Sequence, residues 1–177
     1  MSTSDVADGK KTELSTAKTL STAAMTEFRA PLRERGLTVG LCHGCFDILH
    51  NGHVFYLTQA AGLCDVLVVS ITSARHVNKG PGRPVFGDEA RAAVLSALSM
   101  VDRVVTNDHP TAVPVIEALQ PDFYFKGADY AGNDDSRLRE EVEVLQQYGG
   151  ALVLTDGAVL DSSSRAARVL QECRTHA

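Results

Sequence analysis

The chain has 177 residues, enough for one domain with a substantial core and too few for two of ordinary size. Its composition, 44% hydrophobic and 22% charged, is that of a globular domain, and a net charge of −5 leaves no basic footprint for duplex nucleic acid. No apolar run approaches the roughly 20 residues that span a bilayer, and the polar N-terminus lacks the apolar stretch of a secretory signal; a cytoplasmic protein that binds neither nucleic acid nor membrane is expected.

In chain order, residues 1–15 are rich in Ser, Thr, Asp and Lys and are expected to be disordered. Over 15–35, Leu20, Ala24, Phe28 and Leu32 recur every fourth residue, the pattern of an amphipathic helix that stops at Gly36. Residues 37–42 read as the first strand. A helix over 51–63 follows, with Val54, Leu57, Ala60 and Ala61 inward. The run 65–71 is nearly continuous in apolar residues, as in a strand covered on both faces of a parallel sheet. Lys79, Gly80, Pro81, Gly82, Arg83 and Pro84 make a loop, and 88–99 a helix with Ala92, Leu95 and Leu98 inward. A strand over 103–106, a helix over 111–119, a strand over 123–125 and a helix over 137–148 come next, the last stopped by Gly149-Gly150. A fifth strand over 151–155 and a closing helix over 162–173 complete the pattern. Such alternation predicts a doubly wound, Rossmann-like α/β domain over 37–173 with a five-stranded parallel sheet, preceded by an N-terminal extension, 1–36. Ligands of such sheets bind beyond the carboxyl ends of the strands, near the switch point.

Cys42 and Cys45 form a C-x-x-C with His43 between them. A structural zinc site calls for a second such pair, which is lacking. A redox pair would open a helix, whereas Cys42 lies in a strand. The four cysteines, Cys64 and Cys173 included, suit a reducing compartment.

The first strand runs into His43-Gly44-Cys45-Phe46-Asp47-Ile48-Leu49-His50-Asn51-Gly52-His53. Strand, glycine turn and helix follow one another, and His50 and His53, three apart, share one face of the first helical turn. Gly52 puts no side chain between them, and the helix N-terminus supplies free amides and a positive dipole end. Two imidazoles aimed at a triphosphate suit the charge that gathers on departing pyrophosphate, in chemistry that needs positioning rather than a covalent nucleophile.

The segment Gly44 to His53 resembles the H-x-G-H signature of the cytidylyltransferase-like nucleotidylyltransferases. Lys79-Gly80, Arg83-Pro84-Val85, Glu89-Ala90-Arg91, Val101-Asp102 and Lys126-Gly127-Ala128-Asp129-Tyr130 look most similar to the heptose-phosphate adenylyltransferase branch, beside the glycerol-3-phosphate cytidylyltransferases. The resemblance implies His50, His53, Lys79 and Arg91 as catalytic residues, with Lys79 and Arg83 also meeting the acceptor. It implies nucleotide contacts from Gly44, Cys45, Phe46, Asp47, Gly52, Lys126, Gly127, Asp129 and the hydroxyls of Ser162, Ser163 and Ser164, and Mg²⁺ on the triphosphate. Leu160-Asp161 stands where relatives have a glycine-containing turn, and the basic residue of the cytidylyltransferases has no counterpart.

The expected activity is transfer of a nucleoside monophosphate from NTP, ATP favoured, to a sugar phosphate such as heptose 1-phosphate, by an enzyme whose small relatives are homodimers. The alternative is a cytidylyltransferase acting on glycerol phosphate, another polyol phosphate or a phosphonate. A regulatory nucleotide-binding module is disfavoured by the retention of both histidines with Lys79 and Arg91. An aminoacyl-tRNA synthetase fragment would carry a K-M-S-K-S-like loop, and a nicotinamide enzyme a G-x-G-x-x-G after the first strand; neither is present.

Overall fold

The computed structural model describes residues 18–130, 132 and 135–156. The predicted disorder of residues 1–15 and the closing helix over 162–173 lie outside them. Six strands form one parallel sheet: β1 (Thr19–Leu20), β2 (Val39–Gly44), β3 (Val66–Thr72), β4 (Arg103–Asn107), β5 (Phe123–Lys126) and β6 (Ala151–Leu154). They lie in the order β1-β4-β3-β2-β5-β6, so the chain winds outward in both directions from β2. The doubly wound fold is as expected; the strand count is six rather than five. The extra strand is β1, paired through Thr19 with Val104 and Leu20 with Val105.

That strand replaces the first part of the predicted N-terminal helix. The observed α1 spans Met25–Glu34, after a 3-10 turn at Thr22–Ala24 capped by the Ser21 hydroxyl. Four-residue spacing cannot tell two strand residues followed by a turn from the start of a helix. Once formed, α1 is tied to the sheet. Met25 is fully buried, and Arg29 binds both Asp122 carboxylate oxygens at 2.8 and 3.0 Å as well as the Leu37 carbonyl. Gly36, at φ +67°, ends the segment as expected.

The other helices are α2 (Asn51–Ala61), α3 (Asp88–Ser96), α4 (Val113–Leu119) and α5 (Ser136–Gln147). Period-two alternation in the strands divides the core in two. Val39, Leu41, Val68, Val105 and Tyr124 pack with α1, α4 and α5. Cys42, Leu67, Val69, Ile71, Val104 and Phe125 pack with α2 and α3 on the opposite face. Both faces are covered, which is why β3 reads as an unbroken apolar run. In α2, Leu57 and Ala60 are buried as predicted, but Val54 is 40% exposed. Gly149, at φ +80°, stops α5, and the Gly150 amide bonds back to the Leu145 carbonyl at 3.1 Å.

Candidate active site

At the C-terminal end of β2 the backbone turns sharply through Gly44, Cys45 and Phe46. Phe46 has φ +45°, a left-handed conformation that non-glycine residues adopt at a cost of about 1–2 kcal/mol. Its ring is buried and meets the His53 ring at a tilt of 53°, centroids 5.3 Å apart. Gly44 leaves room for that ring: a Cβ there would stand 3.3 Å from Phe46 Cε2. The turn delivers the chain to α2, with His50 as its N-cap. The His50 carbonyl accepts from the His53 and Val54 amides at 2.9 and 3.2 Å, and the two imidazoles sit side by side, centroids 3.9 Å apart.

Burial first, then the neighbouring His50 and Lys79, push the His53 pKa down to about 4. Its imidazole is therefore neutral near pH 7. Its buried Nδ1 has no hydrogen-bond partner among the described residues, an arrangement that costs about 1–3 kcal/mol in an ordinary core and is typical of groups held ready for a ligand.

Asp47 is the clasp between this turn and the loop after β3. Its buried carboxylate accepts from the Val85 and Phe86 amides at 2.7 and 3.0 Å and pairs with Arg83. Those hydrogen bonds outweigh burial and hold its pKa below the usual carboxylate value. The Arg83 guanidinium, expected at the acceptor, is thus engaged in fixing the loop. Arg91 is likewise turned inward and is 2% exposed. It donates to the Cys45 and Thr72 carbonyls at 2.6 and 2.8 Å, to the Phe86 carbonyl at 3.0 Å and to Asp88 at 2.6 Å. Its guanidinium fork binds the chain segments around the site together, a task an ammonium could not perform.

A cavity of about 190 Å³ opens at the ends of β2, β3 and β5, beside the glycine turn. Gly44, Cys45, Lys79 and Lys126 line it, while His50 and His53 do not. Lys79 is exposed and connects the two regions, lining the cavity while its charge acts on His53. Lys126, Gly127 and the 3-10 turn Ala128–Tyr130 follow β5 at this edge, as the sequence places them. Ser162, Ser163 and Ser164 lie outside the described residues.

The sequence reading gave no site role to the lining residues His43, Thr72 and Glu141. His43 binds Ser70 Oγ through Nδ1 at 3.0 Å and Thr72 Oγ1 through Nε2 at 3.3 Å, and burial pushes its pKa down to about 4. Glu141, 4% exposed, points from α5 to the cavity wall. A charge among Arg139, Glu140 and Glu143 looks solvated. The available signal was its position, three after Leu138 and four before Leu145, on the apolar stripe of the helix.

Cys42 is fully buried and its thiol pushed up to about 12, chiefly by burial; Cys42, Cys45 and Cys64 are all free. Among the described residues no three or more His, Cys, Asp or Glu side chains are grouped to hold a metal ion, and no helix is long and apolar enough to cross a membrane.

Comparison with known proteins agrees with this geometry. The family model for the cytidylyltransferase-like domain matches residues 41–168. A protein of Mesorhizobium japonicum named bifunctional protein HldE is 45% identical over 139 residues, 77% of this chain and 27% of that protein. The protein of the same name from Caulobacter vibrioides is 44% identical over 131 residues, 70% of this chain and 25% of its own length. The chain thus spans about a quarter of the curated relatives it matches. Among solved structures, a lipopolysaccharide core biosynthesis protein from Thermoplasma volcanium superposes with a TM-score of 0.58 at 25% identity, covering 71% of this chain and 100% of that one. Pantoate-beta-alanine ligase from Francisella tularensis shares the fold at a TM-score of 0.55 and 16% identity, covering 85% of this chain and 72% of its own. With the fold, the paired histidines and the matched span in agreement, the chain belongs to the cytidylyltransferase-like family of nucleotidyltransferases.

Proposed function

We propose that this chain transfers AMP from ATP to a sugar phosphate such as heptose 1-phosphate, releasing pyrophosphate. The observation that carries the reading is the imidazole pair on the first turn of α2, with His53 neutral near pH 7, at the sheet edge where α/β domains bind ligands. A phosphate oxygen of the acceptor attacks the α-phosphorus. A new P–O bond forms as the bond to the bridging oxygen breaks, and the electron pair leaves with pyrophosphate. His50 and His53 donate hydrogen bonds to the departing phosphates as charge accumulates there. Lys79 offsets the repulsion between the two anions. Gly44, Cys45, Phe46 and Gly52 offer backbone to the nucleotide, with Gly127, Asp129 and the Ser162–Ser164 hydroxyls completing its site. Asp47, Arg83 and Arg91 act through the loops they fix and are positioning residues. Mg²⁺ brought in with the triphosphate would supply neutralisation of the leaving charge.

ATP and a heptose are supported by the Lys126–Tyr130 segment and by relatives bearing the HldE name; a sugar acceptor is also supported by the likeness to a lipopolysaccharide core biosynthesis protein. A homodimer in the cytoplasm is the assembly and location we assign to it. Pyrophosphate release across a matrix of NTPs and phosphorylated acceptors tests the reading. ATP with a heptose 1-phosphate is the pair expected to turn over; turnover only with CTP and a polyol phosphate shifts the assignment to the cytidylyltransferases. His50→Ala and His53→Ala are expected to lose about 10²–10³-fold in kcat with far-UV circular dichroism unchanged. Near-normal turnover in both removes the mechanism.

A further inference from the structure

The cavity holds a buried cation with hydrogen-bonding capacity left over. Lys126 is 6% exposed, and its ammonium lies 4.8 and 4.9 Å from the centroids of the Tyr124 and Tyr130 rings. It pairs with Glu141, Nζ lying 3.5 Å from Oε2, and also feels the Asp135 carboxylate. An ammonium has three donors, and among the described residues no other acceptor lies at hydrogen-bond distance. Glu141, in contrast, is held at both oxygens. Oε1 accepts from the Ala112 amide and Oε2 from the Tyr124 hydroxyl, both at 2.8 Å. The carboxylate is locked from two directions and keeps the lysine, whose burial favours the neutral form, charged and aimed at the cavity.

Neutral groups, His43 and Thr72 among them, share the lining with the charged Lys79, Asp135 and Arg137. His43 bridges Ser70 and Thr72, and with its pKa near 4 one ring nitrogen donates while the other accepts. The volume, about 190 Å³, is below the roughly 300–1,000 Å³ of pockets that enclose drug-sized ligands, so it fits one reactant rather than both. A nucleobase is a poor occupant, since it favours an aromatic face to stack on and the Tyr124 and Tyr130 rings already cover the ammonium. A small polyhydroxylated anion matches a buried cation that shares its cavity with Lys79, Arg137 and the neutral donors and acceptors of His43 and Thr72. Lys79 at the cavity also acts on His53, so a phosphate held there adjoins the triphosphate.

We propose that this cavity is the acceptor pocket, in which Lys126 and Thr72 bind the polyhydroxylated body of the phosphorylated acceptor and Glu141 is the positioning residue that aims Lys126. The inference rests on the transferase reading above and moves Lys126 from the nucleotide to the acceptor.

The test measures binding of a heptose 1-phosphate and, separately, of α,β-methylene-ATP by calorimetry, together with KM for each substrate. Lys126→Met and Glu141→Gln are expected to weaken heptose 1-phosphate binding by about tenfold or more, while the ATP analogue stays within about twofold. Thr72→Val, which leaves the Lys126–Glu141 pair intact, is expected to raise the sugar phosphate KM by about two- to tenfold and keeps the question decidable if the other variants do not fold. Failure of the wild type to bind the sugar phosphate overturns the inference, as does a loss confined to the ATP analogue. Wild-type binding that is lost in the variants but releases no pyrophosphate removes the transferase reading and keeps the pocket. Turnover with an unchanged sugar phosphate KM in Lys126→Met and Thr72→Val removes the pocket and keeps the reading.

Discussion

Replacing Arg91 separates two uses of a buried cation near a phosphate site. Arg91→Ala deletes donors to the Cys45, Thr72 and Phe86 carbonyls and to Asp88, at distances of 2.6–3.0 Å, from a residue 2% exposed. Hydrogen bonds of a charged group are worth about 1.5–3 kcal/mol each. Part of that is recovered when water reaches the surface loops, so the expected loss is about 3–5 kcal/mol, as for breaking a buried charge pair. With a urea m-value of about 1–3 kcal/mol per M, the unfolding midpoint should fall on the order of 2 M. Far-UV circular dichroism is the suitable probe, because the chain contains no tryptophan. Arg91→Lys keeps the charge but serves one direction instead of several, and should recover only part of the midpoint. If Arg91 instead gripped the triphosphate directly, Arg91→Ala would unfold within about 0.3 M of wild type and lose ATP affinity alone. That result would refute the bracing role.

Two further outcomes follow from the same packing. His43 and His53 both have folded pKa values near 4 against 6.5 in the unfolded chain, so on acidification the unfolded state takes up protons first. Stability is therefore expected to fall between about pH 6.5 and 4, by up to about 1.4 kcal/mol per pH unit for each group. The partly solvated His53 contributes less than His43. Urea midpoints taken from about pH 7 to 5, above the carboxylate range, should decline, less steeply in His43→Asn; a flat profile contradicts the burial argument. In Gly40→Ala the new Cβ would lie 2.5 Å from Phe125 Cε2 and 2.7 Å from Cys64 Sγ. That crowding should cost about 1–3 kcal/mol, read as a lower thermal midpoint. An unchanged midpoint would mean that β2 and β5 can move apart at little cost.

The sequence by itself determined the chemistry-bearing core of the protein. Period-two and period-3.6 patterns are local, so β2 to β6 and α2 to α5 were legible within a few residues, and so was the strand–turn–helix that carries His50 and His53. The stop at Gly149-Gly150 was legible because its backbone demand is local too. What needed the tertiary structure was every feature in which a side chain finds a partner far along the chain. Thr19–Leu20 became a strand because β4 offered an open edge, its partners Val104 and Val105 each 85 residues away. Arg83 and Arg91 carry the charge of phosphate ligands, yet packing gave them Asp47 and main-chain carbonyls as partners. Glu141 reads as one more charge on a solvated helix until α5 docks beside β5 and places it against Lys126 and Tyr124. Local pattern identifies which groups are present; only the docking of distant elements decides which of them are already satisfied and which are left to meet a substrate.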